Sequence, residues 1–317
     1  MLIAVAALTV GAAHADPAPA TWPARPITMV VPFPAGGGTD LVVRSLQPAL
    51  QRELGQPIVI DNRGGAGGTI GSGYVARAAA DGYTAGVATT STHAVSVAIY
   101  PKLPYDPARD FAYAGFIGTS PYVLAVNNAL KAPDTRALIA RLQADKSQRS
   151  FGSVGVGTVS HLMGEQFQKL TGVPLVHVPY RGAAPAYTDL IGGQVQFMFD
   201  NPVGLAPYIR AHKLTALATT APTPLLADVP TFASQGVAGF EQQLWYGIAF
   251  PKGTPVAIVE RFNGALNKVL ADKAVADDLA SKGVTARPGT PAALQATVLK
   301  DIPYWGTIAK SVGATGE

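Results

Sequence analysis

Residues 22–44, WPARPITMVVPFPAGGGTDLVVR, decide the fold of this chain. The apolar run 27–31 predicts a buried strand, three glycines follow at 36–38, and an amphipathic helix is predicted to begin near Thr39 and Asp40. Glycines let backbone N–H groups face a ligand, and the N-terminus of a helix carries about half a positive charge. Because no lysine or arginine lies inside the turn, the stretch predicts a small anion held by backbone groups.

The composition favours a globular α/β protein with two domains or one large domain. Hydrophobic residues make up 48% of the 317 and charged residues only 14%, which is enough apolar material for a buried core and argues against disorder. The net charge of +4 comes without a run of lysine and arginine, so we expect no nucleic-acid partner. Because the sequence has no cysteine, disulfides and thiolate metal sites are excluded.

The N-terminus predicts an exported protein. Residues 2–10 are apolar but too few to span a bilayer, and Ala13-His14-Ala15 matches a cleavage site before Asp16. We therefore expect a signal peptide at 1–15 and a mature protein in the periplasm, although the first three residues lack the usual positive charge. The alternative is a disordered apolar N-terminus.

From residue 27 onward, apolar runs of strand length alternate with helical patterns. The predicted strands are 27–31, 57–61, 83–89, 122–126, 150–152, 175–178, 195–199, 214–219 and 245–250. The predicted helices are 41–54, 68–80, 135–144, 160–171, 183–191, 203–211, 255–272 and a C-terminal helix from Thr290. This order predicts two α/β units built on sheets that helices cover.

Two apolar strands, 122–126 and 245–250, bracket the second unit and predict the two crossings of a hinge. We therefore expect one lobe made of residues 22–122 plus 246–317 and a second lobe made of residues 123–245. A cleft between two lobes is a usual position for a small-molecule site.

Four loops follow predicted strands at the edge where open α/β sheets bind ligands: 33–40, 89–93, 152–160 and 199–202. The first and third combine glycines with a helix start and are expected on different lobes. Two such loops facing each other suit a ligand with a carboxylate at one or both ends. The alternative for each loop is a glycine turn whose N–H groups bind only water.

Individual side chains in these loops leave alternatives open. Asp200 either orients a ligand or caps the turn before Pro202, and His93 either donates to a carboxylate or bonds within its own loop. His161 and His177 are expected to be mainly structural, since the histidines show no metal-ligand spacing.

Motifs of catalysis and cofactor binding are missing from the sequence. The glycine-rich run 64–71, GGAGGTIG, precedes a predicted helix, but Ile70 breaks the dinucleotide-binding spacing and no acidic residue ends a strand about 20 residues later. Phosphate-loop, zinc-protease and serine-hydrolase motifs do not occur. We therefore expect a binding protein without a cofactor, a metal or catalytic residues.

Several long motifs, in order, make the chain resemble the Bug family of periplasmic solute-binding proteins, the binding component of tripartite tricarboxylate transporters. These motifs are WPARPITMVVPFPAGGGTD (22–40), DNRGGAGGTIGSGYVARAAADGYT (61–84), YPKLPYDPARDF (100–111), GSVGVGTVSHLMGEQF (152–167), VPYRGAAPAYTDLIGGQVQFMFDN (178–201) and WYGIAFPKGTP (245–255). The resemblance implies a two-lobed Venus-flytrap fold that closes on a small carboxylate and presents it to the permease subunits of a membrane transporter.

The resemblance also implies which loops touch the ligand. Loops 33–38 and 153–158 would grip carboxylates through backbone amides, and residues 89–93 with Asp200 would line the rest of the pocket. The expected ligand-binding residues are Phe33, Ala35, Gly36, Gly37, Thr90, Ser91, His93, Ser153, Val156, Gly157, Thr158 and Asp200. We expect a monomer that binds a mono- or dicarboxylate, with aromatic acids included; the alternative is a carboxylate sensor that docks on a signalling receptor.

Overall fold

The computed structural model describes residues 22–315, so the predicted signal peptide lies outside the described residues. Its strands are β1 (Ile27–Val31), β2 (Ile58–Asn62), β3 (Thr84–Thr89), β4 (Phe111–Pro121), β5 (Val123–Asn127), β6 (Ser150–Ser153), β7 (Val176–Pro179), β8 (Phe197–Asp200), β9 (Leu214–Thr219), β10 (Gln243–Pro251) and β11 (Thr285–Ala286). Its α-helices are α1 (Gly38–Leu54), α2 (Thr69–Ala76), α3 (Ser96–Ile99), α4 (Thr135–Ala144), α5 (Val159–Thr171), α6 (Ala183–Ile191), α7 (Pro202–Arg210), α8 (Val256–Ala271), α9 (Lys273–Ala280) and α10 (Pro291–Val312).

These strands form two mixed sheets. The first has the order β11-β4-β10-β3-β1-β2, and the second has the order β7-β6-β8-β5-β9. In each sheet three neighbouring strands are parallel. β10 pairs antiparallel with β3 in the first sheet, and β5 pairs antiparallel with β8 in the second. The predicted two-lobed α/β fold is thus confirmed.

The chain crosses between the sheets twice. The first crossing is Tyr122, between β4 and β5, and the second leads from β9 to β10. The two are joined where the Tyr122 N–H donates to the Thr220 hydroxyl and the Thr220 N–H donates to the Tyr122 carbonyl, each at 2.9 Å. These two hydrogen bonds hold the crossings side by side, as the two strands of one hinge.

The strand before the first crossing was not predicted. β4 has the sequence FAYAGFIGTSP, which contains two glycines and is buried almost throughout. Its apolar residues therefore follow neither the alternation of a half-buried strand nor the period of a helix. Because β4 pairs with β10 from Phe111 to Pro121, residues 243–245, which we expected in lobe 2, belong to the first sheet. The remaining lobe limits stay a prediction.

Apolar residues bury each sheet beneath its helices. In the second lobe, the Phe199 and Phe240 rings stack at 5.6 Å, and Phe167 and Phe232 pack around them. Within residues 22–315, none of the helices is long and apolar enough to cross a bilayer. The two cores leave the carboxyl ends of the parallel strands facing the gap between the sheets.

Candidate functional site

A cavity lies between the two sheets, at the ends of β1, β3 and β8. The cavity has a volume of about 70 Å³, measured as the space open to the centre of a water molecule. This space accommodates a few waters or a short ligand. The lining residues are Phe33, Pro34, Ala35, Gly37, Gly38, Thr39, Thr89, Ser91, Tyr122, Val154, Arg181, Gly182, Ala183, Ala184, Pro185, Asp200, Asn201 and Leu244. Five expected site residues are therefore brought together here: Phe33, Ala35, Gly37, Ser91 and Asp200.

The N-terminus of α1 forms one wall of this cavity. The residue before the helix, Gly37, has no side chain to cap it, and the N–H groups of Gly38 and Thr39 have no hydrogen-bond partner among the described residues. The first N–H groups of a helix have no partner within the helix, and they point along its axis. An oxygen anion in the cavity would satisfy them.

Asp40 stabilises the turn in front of α1 rather than facing a ligand. Its carboxylate accepts hydrogen bonds from Arg44 Nε at 2.8 Å, from the Gly36 N–H at 2.9 Å and from Asn62 Nδ2 at 3.0 Å. Burial alone would raise the pKa of Asp40, but the bonds from Arg44, Gly36 and Asn62 hold it below its usual range. The expectation that Gly36 binds a ligand is therefore not met in this structure, because its N–H is used by Asp40.

The N-terminus of α6 forms the opposite wall. Gly182 precedes this helix with no capping side chain, and Ala183, Ala184 and Pro185 line the cavity. The N–H groups of Ala183 and Ala184 have no hydrogen-bond partner within the described part of the chain. We did not predict this wall, although a glycine followed by Ala-Ala-Pro, with no Ser, Thr, Asn or Asp, is the sequence of an uncapped helix start.

Asp200 contributes a carboxyl group to the cavity and is only 2% exposed. It accepts hydrogen bonds from the Tyr187 hydroxyl at 2.6 Å and from the Asn201 N–H at 2.8 Å. Burial raises the pKa of Asp200 to about 6, against hydrogen bonds that lower it. Asp200 is thus not free in the cavity, and it loses its proton only as the pH rises through about 6.

The loop 89–93 divides between the cavity and the core. The Ser91 hydroxyl lines the cavity and accepts a hydrogen bond from the Val159 N–H at 3.1 Å, which joins the lobes. Thr90 is fully buried, and its hydroxyl accepts from the Trp245 N–H at 2.9 Å. Thr90 therefore supports the second crossing and does not line the cavity, so its contact with a ligand stays a prediction.

His93 points away from the cavity and into an aromatic cluster. Its ring lies 4.6 Å from that of Phe111 and 5.8 Å from that of Tyr113, and Nδ1 is 2.8 Å from the Thr92 hydroxyl. Burial lowers the pKa of His93 to about 3, so the ring is neutral. The contacts of His93 match the within-loop alternative, and its binding of a ligand stays a prediction.

The glycine loop 152–160 also differs from expectation. Of the residues in this loop, only Val154 lines the cavity. The Gly157 N–H donates to His161 Nδ1 at 3.4 Å, and the Ser153 hydroxyl lies 2.7 Å from His177 Nε2. These groups hold the loop onto the body of its own lobe, so neither Ser153 nor Gly157 lines the cavity.

Two further residues of this loop have other contacts. The Val156 carbonyl accepts a hydrogen bond from the Tyr100 hydroxyl of the other lobe at 2.8 Å. Thr158 caps α5, since its hydroxyl accepts from the His161 N–H at 3.3 Å and donates to the Gly155 carbonyl at 2.7 Å. Val156 and Thr158 thus do not line this cavity.

His161, Glu165 and His177 come together behind this loop, with potential metal-ligand atoms within 4.8 Å of one another. This group could not be predicted from the sequence, because His177 lies on β7 and the other two on α5. The imidazole rings are stacked at 4.1 Å and 17°, so their in-plane lone pairs run side by side rather than converging on one point. Burial lowers the pKa of His177 to about 3, so the His177 ring supports the loop as a neutral group.

We predict that Thr158→Ala lowers the free energy of unfolding by about 1–2 kcal/mol, because it removes the cap of α5 in a buried setting. Ligand affinity should change by less than about threefold, since Thr158 does not line the cavity. Urea unfolding and calorimetric titration test this, with Thr290→Ala, which removes the cap of α10, as the matched control. A large loss of affinity at unchanged stability would assign Thr158 to the ligand instead.

The two sheets, the paired crossings and the cavity between them define a two-lobed periplasmic solute-binding protein. Residues 42–313 match the family model described as "Tripartite tricarboxylate transporter family receptor". The chain belongs to this family, as the resemblance to Bug proteins implied.

Individual relatives agree with this assignment. Protein BugT of Bordetella pertussis is 37% identical over 297 residues, which cover 93% of this chain and 91% of the relative. The structure of periplasmic binding protein BugD is 34% identical with a TM-score of 0.89, covering 93% of this chain and 100% of that one. The structure of R. palustris Rpa4515 with adipate is 35% identical with a TM-score of 0.89, covering 93% and 99%.

Proposed function

We propose that this protein captures a small mono- or dicarboxylate in the interlobe cavity and delivers it to the permease subunits of a tripartite tricarboxylate-type transporter. The observation that carries the proposal is that two uncapped helix N-termini, those of α1 and α6, line the same cavity from different sheets. One is the predicted amide loop, and the other replaces the predicted loop 152–160.

The chemistry of the walls favours a carboxylate. Unpaired N–H groups at two helix starts supply hydrogen-bond donors and partial positive charge. The adjacent carboxyl group of Asp200 disfavours a ligand of high negative charge, such as a phosphate. The Phe33 and Tyr122 rings provide apolar surface for the hydrocarbon part of the ligand. The structure of Rpa4515 with adipate supports the same ligand class.

The ligand is captured when the two lobes close. We propose that the lobes have the predicted limits, except that residues 243–245 belong to lobe 1. The closed form is held by the Ser91–Val159 and Tyr100–Val156 hydrogen bonds, and Asn201 lies against Gly38. A ligand that touches α1 and α6 together binds the closed form better than the open form, so it shifts the hinge equilibrium. The mature protein acts in the periplasm as a monomer without catalysis.

Isothermal titration of the mature protein, unfolded and refolded to remove co-purified ligand, tests the proposal. The panel comprises mono-, di- and aromatic carboxylates of about four to nine carbons, with phosphate and an uncharged amide of matched size as controls. We expect at least one carboxylate to bind with a dissociation constant of about 10 μM or tighter, and the amide and phosphate not to bind. Failure of the whole panel would contradict the proposal.

A further inference from the structure

The glycine-rich run 64–71 has no role in the proposed capture site, yet its first part lines a second cavity. Gly64–Gly68 face the loop Val154–Val156 of the other lobe, and the space between them has a free volume of about 760 Å³. We call this space the outer chamber. It is an order of magnitude larger than the inner cavity of about 70 Å³.

The two spaces are adjacent. Six residues line both: Phe33, Pro34, Ala35, Val154, Arg181 and Gly182. Pro34 lies at the boundary and packs against both lobes, because a Cβ on Gly64 would lie 2.8 Å from its Cδ and one on Gly182 would lie 2.9 Å from its Cγ. A flexible chain that passes Pro34 would have one end in the inner cavity and the other in the outer chamber.

Glycines allow the outer chamber to close together with the lobes. A Cβ on Gly67 would overlap the Val156 carbonyl, and a Cβ on Gly157 would overlap the Tyr100 ring. Gly67 and Gly157 also have φ of 62° and 74°, in the left-handed region that favours glycine. The wall of the chamber therefore forms only when both lobes are in contact.

Charge distinguishes the two ends of the path. The inner cavity contains the carboxyl group of Asp200, whereas no acidic residue is among those that line the outer chamber. Arg181 lines both spaces and makes no ion pair or side-chain hydrogen bond with any residue from 22 to 315. An unpaired guanidinium at the junction is a donor for a second anionic group.

We propose that the outer chamber holds the distal end of the ligand and that Arg181 binds a second carboxylate there. This inference rests on the proposed function and specifies its substrate class: a flexible dicarboxylate whose first carboxylate lies between the starts of α1 and α6. Arg181 is then the residue that distinguishes a diacid from a monoacid of equal length.

Titration with adipate and hexanoate, which have the same six-carbon chain, tests the role of Arg181. The wild-type protein should bind adipate about tenfold or more tightly than hexanoate, since a charge-assisted hydrogen bond is gained only by the diacid. In Arg181→Gln this ratio should fall to about one while hexanoate affinity stays within about twofold, and Arg181→Lys should retain part of the preference. Arg210→Gln, an exposed arginine of the same lobe outside both spaces, is the matched control.

The outcomes separate the two proposals. If hexanoate binds as tightly as adipate to the wild-type protein, or if Arg181→Gln weakens both acids equally, the outer-chamber proposal is wrong and carboxylate capture stands. If neither acid nor any other member of the carboxylate panel binds, capture itself fails and the outer-chamber proposal falls with it. A ratio that changes in Arg181→Gln but not in Arg210→Gln supports the role of Arg181.

Discussion

Replacing Gly38 with alanine should weaken carboxylate binding by about 10- to 100-fold without lowering the free energy of unfolding. Gly38 begins α1 in lobe 1, and a Cβ there would overlap the side-chain amide of Asn201 in lobe 2. The overlap exists only when the lobes are closed, so the substitution raises the free energy of the closed form alone. Alanine also favours a helix over glycine by about 0.5–1 kcal/mol, so lobe 1 itself should be no less stable.

Titration calorimetry and thermal unfolding of the same Gly38→Ala preparation measure both sides of this prediction. Small-angle scattering should show that the ligand no longer compacts the variant. Gly264→Ala is the matched control, because Gly264 lies within α8 and a Cβ there meets nothing within 4 Å. Wild-type affinity in Gly38→Ala would mean that the ligand is held without this closed contact.

The stability of the protein should depend on pH through Asp200. Burial raises the pKa of this carboxyl group to about 6 in the folded protein, from an ordinary value of 3.8. The folded state therefore holds the proton more tightly than the unfolded state, and the resulting stability is fully present below about pH 4 and is lost as the pH rises through about 6. A difference of about two pKa units corresponds to about 3 kcal/mol.

Urea unfolding of wild type and Asp200→Asn across this pH range measures the effect. Asparagine is neutral throughout, so the free energy of unfolding of Asp200→Asn should rise relative to wild type by about 3 kcal/mol between about pH 4 and about pH 7. Asp228→Asn, an exposed carboxylate of the same lobe, is the control and should follow wild type. Parallel pH profiles for wild type and Asp200→Asn would show that the Asp200 carboxyl group titrates normally.

Ligand binding provides a second measurement of the same group. A ligand carboxylate is ionised above about pH 5, so above pH 6 it would share the cavity with a charged Asp200. Affinity should therefore fall as the pH rises through about 6 in wild type and stay level in Asp200→Asn. The opposite trend would place the ligand charge away from Asp200.

Much of the fold could be predicted because local patterns agreed with the final structure. Strand 27–31 and helices 135–144 and 183–191 have the predicted limits, since each combines clear periodicity with turn residues at its ends. β4 was missed because a strand buried on both faces has no alternation, and its pairing with β10 joins residues more than 120 positions apart. Such pairings depend on the whole chain rather than on a local window.

The site was predictable only in part, for a related reason. A glycine loop before a helix looks the same whether its N–H groups face a ligand or face its own lobe. Loop 33–40 does line the cavity, but in loop 152–160 the Gly157 N–H donates to His161, and His177 of another strand holds Ser153. The second wall came instead from Gly182–Pro185, which has a single glycine and was not predicted to bind, although it lies within the motif 178–201.

The uncapped starts of α1 and α6 have a consequence for the evolution of this protein. Every residue except proline carries a backbone N–H, so ordinary point substitutions leave intact the N–H groups that we propose to bind the anion. Nearby side chains, such as Phe33 and Arg181, can then vary with little effect on these N–H groups. Gene duplication followed by drift at such positions would yield paralogues that all bind a carboxylate through backbone N–H groups, while each is specific for a different ligand.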